Sequence, residues 1–559
     1  MGTSYKQHPG LADHWDAIVI GSGIGGLSVA ATMAKLAGKR VLVLERHYTA
    51  GGFTHTFRRP GYEWDVGVHY IGDVSHPRAS SRRLFDFLTD GELEWADMGD
   101  VYDRIFLGEN SYDFVKGLEN FRAQLHEYFP DEKDAINQYL EKVMATAKKA
   151  QLFFAEKAMP PFVSTLFGGM MRRPLLKEAM QTTREVLEEL TQNQELIGVL
   201  TGQFGDYGLV PSESSFFIHA MVTSHYFRGA AYPVGGSARI AQTMLPVIES
   251  AGGEVVTNAE VTEIIIDNGQ AVGVKLVDGH ELRAPTIISD AGAVNTFSHL
   301  LPEDAAKATG FPSKVDEVGA SIGLLCLYVG LEGTTEELGL EKTNLWVYRD
   351  HKHEENFKRF QEDIHAPLPL VYLSFPSAKD PDFERRYPGH STIEAITLGP
   401  YDVFKPWENT SWKKRGAEYD ELKASLSERL LDTLHKHAPG TRGKVEIAEL
   451  STPLSTRNFA AHPHGEVYGL QHTAHRFEQR WLRPRTPIKG LYLTGADVCS
   501  AGVVGAMMGG MLCSSAVLKG NVLGRVLKHQ AQTLSAKVPT RRTPVGRAAR
   551  TLEEPAQRA

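Results

Sequence analysis

The feature that most constrains the fold of this chain is a glycine-rich turn between a predicted strand and a predicted helix near the N-terminus. The run DAIVIG (16–21) is a short apolar segment of the kind that is buried in parallel sheets. Gly21, Gly23 and Gly26 then form the pattern GxGxxG, and small apolar residues suited to a sheet-packed helix follow them. A second apolar strand, KRVLVLE (39–45), completes the unit. This order predicts a Rossmann-like βαβ unit that binds a dinucleotide.

Each residue of this unit has a physical role in holding a dinucleotide. Gly21 permits the tight turn, Gly23 lets the backbone approach a pyrophosphate, and Gly26 allows the helix to pack closely on the strand. The free N–H groups and the positive dipole end at the start of the helix attract the phosphates. Glu45, at the end of the second strand, is expected to accept hydrogen bonds from a ribose. Further cofactor contacts are expected from Gly25 and Arg46.

A second glycine pair indicates which dinucleotide the unit binds. Gly51 and Gly52 stand six and seven residues after Glu45, where NAD-dependent dehydrogenases do not ordinarily need glycine. The pair resembles the extended N-terminal motif of FAD-dependent oxidoreductases, in which the chain turns back along the cofactor towards the flavin. We therefore predict FAD rather than NAD.

A distant stretch, LYLTGADVCSAGVVGAMMGG (491–510), supports the same cofactor. It resembles the late T-G-x-D motif of such flavoproteins, whose acid binds the ribityl or phosphate part of FAD. That resemblance implies this role for Asp497. It also places a helix N-terminus at Val504 and Gly505 against the pyrimidine side of the flavin, where negative charge builds on reduction. The alternative for Asp497 is an ordinary helix N-cap.

The sequence shows no second strand–GxGxxG–helix unit after the first one. Many flavin reductases carry such a unit as a separate domain that binds NAD(P)H. We therefore expect the electrons to come from outside the chain, either from NAD(P)H that enters the substrate site or from a redox partner.

Together these motifs resemble the phytoene desaturase/carotenoid isomerase group of FAD-dependent oxidoreductases, and within it the retinol-saturase branch. The matching stretches run in order from about residue 16 to residue 521, and the most specific are FPSAKDP (375–381) and MLCSSAVL (511–518). The others are AGGFTHTF, GYEWDVGVHYIGD, AYPVGGS, ISDAG, GEVYG and LYLTGAD. The resemblance implies FAD, a lipophilic polyene substrate of retinoid or carotenoid type, and addition of two hydrogens across a carbon–carbon double bond.

The resemblance also implies cofactor contacts outside the glycine motifs, from Phe53, Val261 and Asp290. The sequence departs from the group at two of these places. The group's GGCCHTF reads GGFTHTF here, and the asparagine of its SNAG motif is replaced by Asp290. Because Phe53 is expected beside the flavin, we expect the departures to alter the shape of the substrate site rather than the identity of the cofactor.

The direction of the chemistry rests on the resemblance alone. Oxidative desaturation and redox-neutral cis–trans isomerisation are alternatives on the same fold. An amine oxidase is a more distant alternative, because it is also built on a two-domain FAD scaffold. A flavin-binding protein without catalysis is the non-enzymatic alternative, and intact cofactor motifs at both ends of the chain argue against it.

The stretch GYEWDVGVHYIGD (61–73) has the aromatic and small residues that a planar ring beside a polyene requires. We expect its His69 and Tyr70 to lie near the flavin. Saturation of an isolated alkene needs a hydride at one carbon and a proton at the other. The candidate proton donors are His69, Tyr70, Tyr226 and Tyr232, together with Tyr468. The alternatives are a structural histidine and tyrosines that only pack in the core.

The patterns of strands and helices predict an α/β protein with an α+β substrate part. Its Rossmann-like FAD-binding domain is assembled from discontinuous segments, between which lie a mainly helical stretch and a series of β-like runs. The predicted boundaries are 14–75, 228–298 and 484–528 for the FAD-binding domain, 76–227 for a helical lid, 299–483 for a substrate β-sheet domain and 529–559 for a disordered tail.

The composition limits the other partners that the chain can have. Its net charge of −8 does not provide the strongly basic face that nucleic-acid binding needs. The three cysteines show neither a CxxC pair nor a Cys/His ligand spacing, so neither a disulfide framework nor a metal site is predicted. The histidines of 351–357, 435–437 and 462–464 are expected to be solvated.

The sequence predicts a cytoplasmic protein that is soluble or peripherally attached to a membrane. Its N-terminal residues lack the apolar core of a secretory signal, and no run approaches the ~18 apolar residues of a membrane-spanning helix. The segment 153–177 combines Phe, Met and Leu with flanking basic residues, which suits docking on a lipid surface. The alternative for this segment is a lid whose apolar residues line a substrate tunnel.

Overall fold

The first of two large sheets contains the predicted βαβ unit. In this computed structural model, which describes residues 2–8 and 10–537, six parallel strands form what we call the cofactor sheet. Their spatial order is Thr3–Ser4, Glu254–Thr257, Val41–Leu44, Ala17–Ile20, Ile287–Ser289 and Leu491–Leu493. Distant stretches of the chain therefore build one Rossmann-like sheet, and the predicted α/β fold is confirmed.

Helices made of small and apolar residues cover the cofactor sheet. The helix Ile24–Ala37 packs against the helices Gly502–Val517 and Arg239–Glu249. Gly510 lets the first two approach closely, because a Cβ at this position would lie 2.6 Å from the carbonyl oxygen of Gly25. The C-terminal glycine-rich motif therefore packs directly on the N-terminal one.

The second large sheet, which we call the substrate sheet, has seven strands. Neighbouring strands are antiparallel except for Asn344–Tyr348 and Val101–Leu107, which run parallel. The spatial order is Val445–Ser451, Gly323–Glu332, His390–Gly399, Leu370–Ser374, Asn344–Tyr348, Val101–Leu107 and Asn110–Val115.

Two of these strands correct the prediction that 76–227 is a helical lid. Val101–Leu107 and Asn110–Val115 form a hairpin at the edge of the substrate sheet, and Trp95–Asp97 is also a strand. Within the hairpin, buried and half-buried residues alternate on both sides of a turn at Gly108, which is the period of a half-buried strand. The predicted lid is therefore interrupted by residues that belong to the sheet.

The two faces of the substrate sheet have different neighbours. On Gly323–Glu332, Leu325, Leu327 and Val329 pack towards the helix Ala417–His437 in an apolar cluster. The alternate residues, among them Leu324 and Cys326, face a large internal cavity. The sheet thus separates a packed layer from the candidate site.

Smaller strands connect the two sheets. They are the hairpin Thr56–Arg59 and Tyr62–Asp65, the sheet Ile71–Gly72, Ala230–Pro233 and Trp95–Asp97, and the sheet Val261–Asp267, Gln270–Leu276 and Glu281–Arg283. Three helices contribute residues to the remaining side of the cavity wall: Leu118–Tyr128, Lys133–Ala158 and Phe216–Tyr226. The other helices of this region are Pro161–Ala179, Thr183–Glu188 and Gln194–Leu200.

No single helix within residues 2–8 and 10–537 is long and apolar enough to cross a membrane. Gly502–Val517 and Val522–Lys528 reach that length and composition only as a pair, and they are bent by 112°.

The tail predicted to be disordered from 529 begins inside the helix Val522–Lys537, so this part of the prediction is wrong. The rest of that prediction, 538–559, lies outside the described residues.

Candidate active site

A cavity of about 3230 Å³ runs between the cofactor sheet, the substrate sheet and the helices above them. This volume exceeds the roughly 300–1,000 Å³ of an ordinary ligand pocket. The residues predicted to bind the cofactor, except Gly26, line one end of it, and alternate residues of the substrate sheet line the other. The cavity therefore has room for a dinucleotide and a second molecule at the same time.

At the cofactor end, two glycine motifs approach each other closely. Gly21 has φ +96° and Gly51 has φ +123°, conformations that favour glycine. A Cβ on Gly52 would lie 2.9 Å from Gly23 Cα, so neither backbone leaves space for a side chain. The helix that begins after Gly23 has no side-chain cap, and this leaves donors at its N-terminus for an anion.

Glu45 is buried beside this turn and already has three donors. Its Oε2 accepts hydrogen bonds from the backbone N–H (3.0 Å) and the hydroxyl (2.7 Å) of Ser22. Its Oε1 accepts one from the His47 N–H (2.7 Å). The carboxylate is therefore held in a fixed position on the cavity wall, as a ribose-binding acid requires. Arg46 and Val261 line the same end of the cavity.

Asp290 points into the glycine cradle from the next strand. Its two carboxyl oxygens are each 2.5 Å from the place that a Cβ on Gly23 or Gly25 would occupy, which explains why both positions are glycine. Burial raises the pKa of Asp290 to about 8, so the side chain is neutral at pH 7. In this form it has an O–H donor and a carbonyl acceptor, as an asparagine amide has, and a pyrophosphate is not repelled.

Asp497 does not cap the following helix, so that alternative is wrong. The helix Gly502–Val517 has Ala501 at its N-cap position, without a side-chain hydrogen bond. Asp497 instead accepts hydrogen bonds from the N–H groups of Ala293 (2.7 Å) and Leu470 (2.9 Å).

The start of the helix Gly502–Val517 is open to the cavity. Val504 and Gly505 line it, and the uncapped first turn offers N–H donors to a group that carries negative charge. A Cβ on Gly505 would collide with the carbonyl oxygen of Ser500, so this turn also depends on glycine. The donors and the glycine cradle together fit the predicted FAD.

The stretch 66–71 lines the cavity from the cofactor end towards the substrate sheet. Gly67 packs on Phe53, where a Cβ would lie 3.1 Å from the Phe53 Cβ. Tyr70 follows only three residues later, which is at most ~10 Å of extended chain. His69 and Tyr70 therefore line the cavity within a short stretch of chain from the contact with Phe53, and their proximity to the flavin stays a prediction.

The imidazole of His69 is neutral in this environment. Its Nδ1 is 3.1 Å from Glu394 Oε2, and burial together with the charge of Lys379 lowers the pKa of His69 to about 3. Burial raises the pKa of Glu394 to about 8, so its carboxyl group carries the proton of this pair at pH 7. A neutral imidazole is not a cationic acid, which favours the structural alternative for His69.

The predicted tyrosines do not all reach the cavity. Tyr70 and Tyr226 line it and stack with their ring centroids 4.5 Å apart. Tyr468 also lines it and donates to the carbonyl oxygen of Gly205 (2.8 Å). Tyr232 is absent from the described residues that form the cavity wall, and its hydroxyl donates to Asp65. As a proton donor, Tyr232 therefore lacks direct access to a substrate in the cavity.

Sequence reasoning missed the acids beside the tyrosines. Asp206 lines the cavity, and Asp103 lies buried behind it. Glu394 and Lys379 lie in a second buried group around His69. The signal for Lys379 was present in FPSAKDP, which was matched only as a family motif, whereas Asp103 was hidden in a segment predicted to be helical.

The histidine-rich segments were predicted to be solvated, and His353 contradicts this. It is buried, its Nε2 is 3.0 Å from the carbonyl oxygen of Gly198, and burial lowers its pKa to about 4. Within the described part of the chain, no group of three His, Cys, Asp or Glu side chains is arranged to hold a metal ion.

One mouth of the cavity opens beside the long helix Lys133–Ala158. Met144, Lys148 and Gln151 line the cavity and are exposed on this helix. Next to them, the helix Pro161–Ala179 exposes large apolar side chains. They are Phe162, Leu166, Phe167 and Met170, with Leu152 on the long helix. We call these five residues the apolar rim.

Three comparisons with known proteins bear on this site. Residues 24–311 match the family described as flavin containing amine oxidoreductase. The chain is 39% identical over 526 residues to the all-trans-retinol 13,14-reductase of Homo sapiens, which covers 91% of this chain and 86% of that protein. It is 28% identical over 522 residues to prolycopene isomerase 1, chloroplastic, of an Oncidium hybrid cultivar (90% and 84%).

Among solved structures, an oxidoreductase from Methanosarcina mazei matches the fold with a TM-score of 0.59 at 19% identity. The match covers 90% of this chain and 99% of that one. This structure supports the fold, and the sequence relatives confirm the resemblance that the motifs indicate.

Proposed function

Because this chain belongs to the flavin-containing amine oxidoreductase family and is an FAD-dependent oxidoreductase, we propose that it saturates one carbon–carbon double bond of a lipophilic polyene. The substrate class is a retinoid or a carotenoid. The observation that carries the proposal is the apolar continuation of the cavity from the cofactor end to the mouth lined by Met144, Lys148 and Gln151. The printed names of the human and Oncidium relatives, a retinol reductase and a prolycopene isomerase, support a polyene.

The walls of this channel suit a long unsaturated chain. Leu324, Cys326 and Ile396 form an apolar wall from the substrate sheet, and the stacked rings of Tyr70 and Tyr226 form an aromatic one. Flat aromatic surfaces and apolar side chains bury a polyene without leaving polar groups unpaired. A molecule held between these walls is kept in line with the cofactor end.

The cofactor and the residues of the chain have different roles in the proposed reaction. When bound and reduced, FAD supplies a hydride. An isolated alkene has no carbonyl group that would stabilise charge, so the residues of the chain must align the double bond and bring a proton within hydrogen-bond distance. The cavity walls provide alignment, and Asp206, which lines the cavity beside Tyr70, is a candidate source of the proton.

Product masses test this proposal directly. The purified FAD-loaded protein is chemically reduced without oxygen and incubated separately with retinol and with a carotenoid, while a sample with oxidised FAD is incubated with an amine as a control substrate. A gain of two hydrogens on a polyene supports saturation. Unchanged mass with a shifted retention time indicates isomerisation, and oxidation of the amine alone would contradict the polyene assignment.

We further propose that the electrons reach FAD from outside the chain. Of the five sheets in the described residues, only the cofactor sheet is parallel and carries a glycine turn. Anaerobic mixing of the oxidised protein with NADPH or NADH, followed by flavin absorbance, tests the source. Bleaching supports nicotinamide as the donor, and no bleaching with either nucleotide supports a separate redox partner.

We also propose that the apolar rim docks on a lipid surface, from which the substrate enters. Seven of the eleven exposed large apolar side chains in the described residues lie between 144 and 180. Arg173 and Lys177 are exposed on the same helix and suit anionic headgroups. The cavity mouth lies beside this surface, so a lipophilic substrate need not cross water.

Vesicle co-sedimentation tests the docking surface. Phe162→Ser with Phe167→Ser is expected to weaken binding to vesicles of phosphatidylcholine and phosphatidylserine, because two exposed aromatic side chains are removed. Val277→Ser is the control, since the exposed fraction of Val277 (66%) lies between those of Phe162 (74%) and Phe167 (51%) and Val277 lies outside 144–180. Equal binding by both variants and the unmodified protein would contradict the proposal.

A further inference from the structure

The hydroxyl group of Tyr70 lies between two acids, the fully buried Asp103 and the partly buried Asp206, which lines the cavity. The hydroxyl oxygen is 2.8 Å from Asp103 Oδ2 and 3.2 Å from Asp206 Oδ2. A tyrosine hydroxyl has one proton and can donate only one hydrogen bond. A second hydrogen bond at this oxygen therefore needs a proton on one of the two carboxyl groups.

Burial raises the pKa of Asp103 from its ordinary value, but its hydrogen-bond partners favour the ionised form. Its Oδ1 accepts from Asn344 Nδ2 (2.9 Å), and its Oδ2 accepts from Gln203 Nε2 (2.7 Å) as well as from Tyr70. Asp103 is fully buried, so this set of donors replaces the water that a carboxylate would otherwise need. A proton on Asp103 would remove one of these acceptor positions.

The surroundings of Asp206 differ from those of Asp103. Asp206 shares the Tyr70 hydroxyl, contacts the Tyr226 hydroxyl, and lines the cavity. Burial and the nearby charge of Asp103 raise the pKa of Asp206 well above its ordinary value. The proton of the pair is therefore on Asp206, which is also the member of the pair that reaches the cavity.

The titratable groups packed around the two acids do not change this assignment. One of them is a cation, Lys379, which acts on Asp103 and further favours its ionised form. The rest are neutral hydroxyl groups whose pKa values are raised by burial. They are Tyr70, Tyr102, Tyr207, Tyr226, Tyr348, Tyr372 and Tyr468.

We propose that Asp206 is the acid that protonates the substrate, and that Asp103 acts through Tyr70 to keep Asp206 protonated between turnovers. The role rests on the proposed saturation of a double bond. One substrate carbon receives a hydride from the reduced cofactor, which is oxidised. The neighbouring carbon receives the proton of Asp206, so that the Asp206 O–H bond breaks and a C–H bond forms. The carboxylate left behind lies beside the charge of Asp103, and this repulsion favours its reprotonation from water.

Infrared difference spectra of the FAD-loaded protein test the proton's position without turnover. The carbonyl stretch of a protonated carboxyl group, shifted in D₂O, is expected to be lost in Asp206→Asn at every pH. In Asp103→Asn it is expected to persist at acid pH but to disappear at a lower pH than in the unmodified protein, because the charge that raises the pKa of Asp206 is gone. A band that survives Asp206→Asn, or one whose pH dependence is the same in Asp103→Asn as in the unmodified protein, would overturn the assignment. This result does not depend on any substrate, so it stays valid if the polyene assignment fails.

Turnover of the same variants tests the catalytic role. Asp206→Asn is expected to slow product formation by about 10²–10⁴-fold, the usual contribution of a positioned acid, while FAD content stays unchanged. Asp113→Asn, on the outer strand of the hairpin that carries Asp103 and paired with Arg104, is the control and keeps its rate. An unaltered rate in Asp206→Asn would overturn the proposal. No saturated product from the unmodified protein would instead contradict the proposed function.

Discussion

Gly23 and Gly52 are in contact across the cofactor end of the cavity, although they belong to separate motifs. A Cβ on Gly52 would lie 2.9 Å from Gly23 Cα, and Gly52 itself has φ +53°. The contact joins the turn of the βαβ unit to the glycine pair that follows the second strand. Both backbones can therefore line the same part of the cofactor site.

Gly52→Ala is expected to lower the affinity for FAD at least about tenfold. The added methyl group collides with Gly23, and the left-handed conformation costs a non-glycine residue a further ~1–2 kcal/mol. Titration of the FAD-free protein with FAD, followed by flavin fluorescence, measures the effect.

Gly91→Ala is a control that introduces the backbone strain of a positive φ without a steric collision. Gly91 has φ +82°, but a Cβ there would meet no atom within 4 Å. This control is expected to lose stability without losing FAD affinity. Equal FAD affinity in both variants would show that the contact between the two glycine motifs does not shape the site.

FAD binding is expected to weaken as the pH rises through about 8. Burial raises the pKa of Asp290 from its ordinary value to about 8, so the side chain is neutral below that pH and negative above it. A negative charge in the glycine cradle repels a pyrophosphate. The dissociation constant of FAD, measured from pH 6 to pH 9.5, should therefore be lowest at the acidic end of this range.

Asp290→Asn is the control for this pH dependence. The amide has a similar shape and does not ionise, so the dissociation constant of the variant is expected to stay level across the same range. If Asp290→Asn retains the full pH dependence of FAD binding, a group other than Asp290 is responsible for it.

His69→Gln is expected to leave the shape of the pH–rate profile unchanged between pH 5 and pH 8. The pKa of His69 is lowered to about 3, so its imidazole is neutral throughout this range and binds no proton that the reaction could use. The profile of initial rates, not the absolute rate, is the decisive measurement. If the rate of the unmodified protein changes with pH near 6.5 and this change is absent in His69→Gln, the assignment of a neutral His69 imidazole is contradicted.

Gly510→Ala is expected to lower the thermal stability of the protein. The methyl group would lie 2.6 Å from the carbonyl oxygen of Gly25 and would separate two packed helices. Such overpacking costs about 1–3 kcal/mol, more than the helix propensity gained from alanine. Gly520→Ala, where the nearest atom would be 4.0 Å away, is the control, and equal melting temperatures would contradict the prediction.

The cofactor end was predictable from sequence because its signals are local. Gly21, Gly23 and Glu45 lie within one βαβ unit, whose strand and helix periods are visible in a short window. The late motif around Asp497 was recognised by resemblance. Only the structure shows that Asp497 binds the N–H groups of Ala293 and Leu470 rather than capping a helix.

The proton source was not predictable because its members come from distant parts of the chain. Tyr70 and Asp206 are 136 positions apart, and the topology alone brings them together. Asp103 lies on a strand whose alternation was overlooked inside a mainly helical stretch. Asp103 and Asp206 have the same side chain, but their different burial gives them different protonation states. The burial of a residue cannot be inferred from its type alone.

A single-turnover reaction in D₂O tests the central claim most directly. The anaerobic, reduced, FAD-loaded protein is mixed with a polyene, and the product is analysed by mass spectrometry. Saturation predicts a product that has gained two deuterium atoms on adjacent carbons, because both hydrogens come from sites that exchange with solvent. A product of unchanged mass, altered only in its double-bond geometry, would contradict the assignment as a reductase.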